Sequence, residues 1–364
     1  MDALPDRHSA LTHERCDLEQ VQLIGRIQSH GLLFALSEPD LIVRQVSANV
    51  STELGIPPED VLGRSFGMVL GAQQFEAFQS QLLDGSLIAG TPLRLSVRNG
   101  ILETHCIAHR QHEVLIVELE FLAGARSLGT INIDDHVRIP LSRLETASDI
   151  SELSRLAASE VRRLSGFGRV MIYRFDEEWN GEVIAEEMGD STVSYYGLHF
   201  PATDIPPQVR RLFLLNPLRT IADVASAPVP IVPAIGPLTG KALDLTNSAL
   251  RSASPVHLEY LRNMDVQSSM TVSIIVEHRL WGMIACHDPA PYRIDHSTRS
   301  VCRLIAQTLA SQVALRTENS VLQLHSKSRQ LFDEYVKEIN PAAAGTEHLH
   351  AALLLELFDA DGLV

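Results

Sequence analysis

The sequence predicts an α+β protein: two antiparallel sheets, each carrying helices, followed by one long C-terminal helix. Three observations predict it. Short apolar runs broken by turn residues fill Gly31 to about Glu120, a second set of such runs surrounds one strongly amphipathic stretch, and no glycine or proline occurs from Ser297 to Asn340. The 364 residues give length for two or three domains, and 45% apolar residues can fill ordinary cores.

In the first region the expected strands are residues 32–35, 42–47, 93–97 and 114–119, separated by turn-rich segments. Residues 41–63, LIVRQVSANVSTELGIPPEDVLG, resemble the PAS family, in which a strand leads to an Asn and then a short helix. The Gly/Ala/Ser-containing stretch 122–129 separates this unit from the next, as a connection between two cores does.

Asp149 with Glu152 three residues on reads as a helix N-terminus, Ile150, Leu153, Leu156, Val161 and Leu164 form an apolar stripe, and Gly166 can end it. Strands are expected at 169–175 and 182–186, then at 270–276 and 280–286 across the turn Glu277-His278-Arg279. Residues 225–245 are rich in proline and apolar residues without either periodicity, which predicts a long ordered loop.

Val301, Ile305, Leu309 and Val313 recur at helical spacing before Pro341, so one helix of about 65 Å is expected at about 1.5 Å per residue. One small domain cannot cover such a helix, so part of its apolar face must meet a second chain or another domain, and a parallel dimer is expected. Residues 351–364, AALLLELFDADGLV, read as a helix and the first strand of a further domain that is then cut off.

Thirty basic against forty-five acidic residues give a net charge of −15, which repels a phosphate backbone, so nucleic-acid binding is not expected. The first sixteen residues carry Asp2, Asp6, Arg7, Glu14 and Arg15 with no apolar run, and no stretch approaches the roughly 20 apolar residues of a membrane span. A cytoplasmic protein is expected. Cys16, Cys106, Cys286 and Cys302 show no CxxC spacing and are read as free thiols. His105, Cys106, His109 and His112 have a composition that suits zinc or copper, but no carboxylate or clear ligand pairing supports a metal there.

Far more specific are residues 16–31, CDLEQVQLIGRIQSHG; 196–224, YGLHFPATDIPPQVRRLFLLNPLRTIADV; and 250–287, LRSASPVHLEYLRNMDVQSSMTVSIIVEHRLWGMIACH. Together they resemble the bacteriophytochromes, red-light receptors that bind biliverdin, and the similarity runs from Cys16 to about Arg316. The resemblance implies an N-terminal extension at 1–16, a PAS domain at 17–121, a linker at 122–135, a GAF chromophore-binding domain at 136–318, and at 319–364 the long helix with the truncated start of a PHY domain. It also implies a figure-of-eight knot, in which Gly25 to Gly31 threads the loop 225–245 with Ile27 inside the lasso.

The resemblance assigns the ligand's two propionates to Arg219, Arg251, Ser254, Ser269 and Thr271, of which Ser269 and Thr271 share one strand face. It makes Asp204, with Ile205 and Pro206 of the PATDIP run, the acceptor for the ring nitrogens, and sets His257 beside the inner pyrroles. His287 would hold the carbonyl of the terminal ring, with Tyr173, Phe200 and Tyr260 forming the cavity in which that ring rotates. Asp204 can also be read as a plain helix N-cap before Pro206 and Pro207. Covalent attachment as a thioether falls by resemblance to Cys16, because no cysteine adjoins His257, which Leu258 follows, and Cys286 and Cys302 sit in apolar contexts typical of inert thiols.

Phe213, Ser29 and Asp288 depart from the pattern common in relatives, at positions that remove none of these contacts. The implied function is a photosensor signalling to a histidine kinase module and response regulator outside this chain, with no catalytic residue here. Two readings from other classes stay open: a ligand-blind PAS and GAF scaffold that only dimerises, and a cyclic-nucleotide or haem sensor, for which no phosphate-cradling glycine loop is present.

Overall fold

The computed structural model describes residues 20–98, 100–189 and 193–338. Cys16 and the rest of the expected extension lie outside the described residues, as does the helix and strand expected at 351–364. Contacts divide the chain into a unit ending at Ala310 and a second unit from Ser311, whose described part is the continuation of the last helix.

The first sheet contains β1 (Arg26–Ile27), β2 (Gly31–Ser37), β3 (Ile42–Ser47), β4 (Leu93–Val97), β5 (Leu102–Gln111) and β6 (Val114–Phe121). The second contains β7 (Arg169–Phe175), β8 (Gly181–Met188), β9 (His199–Phe200), β10 (Leu218–Ile221), β12 (Ser268–Val276) and β13 (Arg279–Asp288), in the order β10-β12-β13-β7-β8-β9, antiparallel throughout. The remaining strand, β11 (Val229–Val232), lies in the expected loop 225–245 yet joins the first sheet, whose order is β1-β11-β3-β2-β6-β5-β4. That loop is thus partly a strand, formed because its partners β1 and β3 come from a distant part of the chain and supply the hydrogen bonds that local sequence cannot.

The threading expected of this segment has a definite geometry. On one side Arg26 and Ile27 pair with Pro230 and Val229; on the other, Gln28 N donates to Leu250 O at 2.7 Å and Ser252 N donates to Arg26 O at 3.0 Å. Ile27 is fully buried between the two limbs, among Leu33, Ile116, Ile231, Leu245 and Leu250. The first sheet is therefore covered on both faces, and β2 is buried along its whole length without polar alternation.

On the opposite face Phe34, Phe66 and Phe78 pack with ring centroids 5.0 and 5.3 Å apart, the last of these from the helix Ala72–Leu83. That helix and the ten-residue β5 escaped sequence reading. The helix has a weak apolar stripe with a single fully buried side chain, and β5 carries polar residues on its outer face. In β5 Cys106 points into the core while His105 and His109 share the other face, so pleating separates the thiol from the histidines. Among the described residues no cluster of metal-ligating side chains occurs.

The helix Ile150–Ser165 begins and ends where its signals say. Asp149 accepts from Glu152 N at 2.8 Å, and Gly166 ends it at φ +77°, in the left-handed region. β12 and β13 meet at a tighter turn than expected, with Glu277 and His278 both at positive φ. The last helix runs His296–Glu338, with Asp295 Oδ1 accepting from Thr298 N at 2.9 Å at its start. Among the described residues no helix is long and apolar enough to cross a membrane.

β6 turns Glu118 and Glu120 toward the second domain, both almost fully buried. Glu120 pairs with Arg299 of the last helix, and the two side chains are 8% and 6% exposed. Removing one member of such a pair strands the other charge, so Arg299→Met is expected to cost about 3–5 kcal/mol of unfolding free energy, and Glu120→Leu combined with Arg299→Met far less. Urea denaturation followed by circular dichroism measures both.

Candidate functional site

The face of the second sheet opposite the helix Ile150–Ser165 is the floor of a cavity of about 270 Å³, open at one side. Strand register sets that floor in two rows. Arg219, Thr271, Ala285 and Met171 lie side by side across β10, β12, β13 and β7; Ile221, Ser269, His287 and Arg169 form the next row. The helices Pro207–Leu215 and Pro255–Asn263, with the short turn Ala202–Asp204, supply the other walls.

Every described pocket residue that the sequence singles out lines this one cavity: Tyr173, Phe200, Asp204, Ile205, Pro206, Arg219, Arg251, Ser254, His257, Tyr260, Ser269, Thr271 and His287. Val21, from the threaded N-terminal segment, also reaches it, so residue 16 stands only five positions before the cavity wall. Sequence reading missed Met171, Val183, Tyr195, Leu212, Met283 and Ala285, which make the walls apolar. Period two would have found three of them, because Met171 shares a strand face with Tyr173, and Met283 and Ala285 share one with His287.

Asp204 is not a helix N-cap. The following helix starts at Pro207 with Pro206 in the cap position and no side-chain cap, since two prolines leave fewer N–H groups in need of an acceptor. The Asp204 carboxylate instead accepts from the Tyr260 hydroxyl at 3.4 Å. Tyr260 and His257 lie on one helix face three residues apart, with rings parallel within 13° and centroids 6.1 Å apart. Tyr173 packs near Phe200 at 5.9 Å, and Gly181 makes room for its phenol, because a Cβ there would fall inside the ring.

The cavity holds two guanidinium groups. Arg219 donates to the backbone carbonyls of Ala249 and Arg251, and among the described residues neither arginine forms an ion pair. Burial, and then the neighbouring charge of Arg251, lower the Arg219 pKa well below its ordinary value; burial lowers that of Arg251 too. Arg251 Nη1 and His287 Nδ1 are both buried and lack a hydrogen-bond partner among the described residues. Buried polar atoms are rarely left so, and these two ask for an anionic acceptor at one place and a polar partner at another.

Burial also decides the protonation states. His257 borders the open cavity yet is ringed by protein, which, with the Arg219 charge, pushes its pKa down to about 4. His287 is likewise pushed down to about 4, by burial first and then by Arg169 and His257. Burial, then the Asp204 charge, raise the pKa of Tyr260 to about 12 and that of Tyr173 further. The site therefore presents neutral imidazoles, phenols that keep their protons, the Asp204 carboxylate and two guanidinium cations among apolar walls.

Residues 16–122 match the PAS fold model and residues 149–316 match the GAF domain model. The chain is 37% identical to cyanobacterial phytochrome B of a Nostoc species over 95% of its length, and 35% identical to a bacteriophytochrome of Xanthomonas campestris over 96%. It covers 47% and 55% of those proteins, so it spans about half the length of the curated relatives it matches. Among solved structures, the chromophore-binding domain of an R. palustris bacteriophytochrome is 40% identical with a TM-score of 0.78, covering 84% of this chain and 99% of that one. The photosensory core module of a Stigmatella aurantiaca phytochrome is 36% identical with a TM-score of 0.84, covering 95% and 70%. Fold and cavity thus define a PAS and GAF sensory core. The chain belongs to the phytochrome family of photoreceptors.

The histidines give a signed pH dependence. Their folded pKa values near 4 lie below the ordinary 6.5, so between these limits the unfolded chain takes up protons that the folded chain refuses. Stability of the ligand-free protein is expected to fall as pH drops from about 6.5 toward 4 and to be insensitive to these groups above that window. Urea midpoints across the window should fall less for His257→Gln with His287→Gln than for wild type, and histidine NMR titration should place both midpoints near 4.

Proposed function

We propose that this chain is a red-light sensor that binds biliverdin in the GAF cavity, tethered as a thioether to Cys16. The observation that carries the reading is a pair of guanidinium groups outside any ion pair among the described residues, Arg219 half-buried and Arg251 buried with an unsatisfied nitrogen, in an apolar cavity whose floor also carries an unsatisfied histidine nitrogen. A tetrapyrrole with two propionates and a terminal carbonyl answers each of these demands; a cyclic nucleotide answers only the first.

Arg219 and Arg251 hold the propionates, with Ser254, Ser269 and Thr271 adding hydroxyl donors. Asp204 offers its backbone carbonyl to the ring nitrogens, and His257, neutral and stacked beside Tyr260, lies along the inner rings. His287 directs a neutral imidazole at the terminal carbonyl, while Tyr173, Phe200 and Tyr260 leave an apolar space around that ring. When bound, the bilin supplies red absorption and isomerisation about a methine bridge. The Asp204–Tyr260 hydrogen bond and the His287 contact are the protein's first points of rearrangement.

The chain itself performs no turnover, and its signal passes along the last helix to an output module, in this family usually a histidine kinase that phosphorylates a response regulator. Leu315 and Leu322, seven residues apart and both exposed on that helix, support a parallel homodimer. With a net charge of −15 the chain offers no counterion-release energy to nucleic acid, and the protein works in the cytoplasm.

Wild-type protein mixed with biliverdin is expected to develop a red absorption band and to gain the mass of one bilin that survives denaturation. Cys16→Ala should bind pigment but release it on denaturation. Arg219→Ala and Arg251→Ala should each weaken uptake by about tenfold or more, as loss of a charge-assisted hydrogen bond of about 1.5–3 kcal/mol requires. Absence of any red band in the wild type rejects the reading.

A further inference from the structure

We propose that Glu118, a residue of the first sheet, is the positioning residue for the guanidinium pair of the second domain. The inference rests on the biliverdin reading and extends it to a residue outside the cavity. Glu118 is 1% exposed and faces the second domain from β6. Its two oxygens accept from consecutive amides: Oε2 from Ala249 N at 3.0 Å and Oε1 from Leu250 N at 2.8 Å.

The stretch it holds is the one on which both guanidinium groups depend. Arg219 Nη1 donates to Ala249 O at 3.4 Å and Nη2 to Arg251 O, so one peptide plane that Glu118 orients, Ala249–Leu250, carries a rest for Arg219, and the other rest lies two residues further along the same stretch. The next residue along is Arg251, which carries the second guanidinium into the cavity. Gln28 N closes the other side of the stretch on Leu250 O at 2.7 Å. The sheet approaches so closely that a Cβ on Gly31 would lie 2.6 Å from the Leu250 side chain and 2.8 Å from Leu119 O.

A carboxylate is a costly choice for this place if it only fills space. Burial raises the Glu118 pKa to about 7, against the pull of its two amide hydrogen bonds. Its charge also favours the protonated forms of Arg219 and Arg251. Position and charge therefore act on propionate binding with opposite signs: loss of alignment weakens it, whereas loss of a nearby negative charge strengthens it.

The test uses the full chain in a Cys16→Ala background, so that binding is reversible, titrated with biliverdin and with biliverdin dimethyl ester, which lacks the two anionic arms. Glu118→Gln is expected to weaken biliverdin binding about tenfold while changing the ester less than about twofold, within the range of coupling between residues that share partners. Glu118→Asp keeps the charge but loses reach, and the same ester-sparing loss is expected; this variant carries the test if Glu118→Gln fails to fold by circular dichroism. Equal weakening of both pigments, tighter biliverdin binding by Glu118→Gln, or wild-type behaviour of Glu118→Asp overturns the proposal. If the Cys16→Ala parent takes up neither pigment, the biliverdin reading itself fails.

Discussion

Two guanidinium groups lining one cavity, neither in an ion pair among the described residues, are the constraint around which the second domain is arranged. A buried guanidinium is costly unless its donors are used, and Arg219 uses two of them on backbone carbonyls of the stretch that leads to Arg251. That stretch is fixed in turn by Glu118 from one side and by the threaded N-terminal segment from the other. The cavity thus carries two fixed guanidinium groups, and the buried polar atoms in it that lack a partner among the described residues are Arg251 Nη1 and His287 Nδ1.

The same economy explains why the first domain is more than a spacer. Its sheet takes in a strand from the second domain, gives two buried glutamates back to it, and encloses Ile27 at the crossing. An ordinary antiparallel sheet with one wet face would alternate polar and apolar residues. β2 does not, because the face away from its own core is closed by the loop and the N-terminal segment. The segment that leads back toward Cys16 is therefore anchored immediately beside the cavity wall, at Val21.

Local signals were enough wherever one element carries its own explanation. Asp149, Glu152 and Gly166 delimit their helix by capping, β3 and β4 read as short apolar alternations, and the long glycine-free run is one helix. They were not enough where partners come from far along the chain. β11 has no pattern of its own and is a strand only because β1 and β3 flank it, and Asp204 looks like a cap in sequence but faces Tyr260 in space. Glu118 and Glu120, in a strand otherwise apolar, gave no sign that both belong to the contact with the second domain.

What the amino-acid order settled by itself was the identity of the chemical groups and the family they signal: arginines, histidines, hydroxyls and one aspartate in three segments whose wording is specific. What only the tertiary structure decided was that these groups share one cavity, which of them are charged, and which lack partners. Residue types are written in the chain, but protonation and orphaned donors depend on burial and on neighbours brought together across more than a hundred positions, such as Glu118 and Leu250.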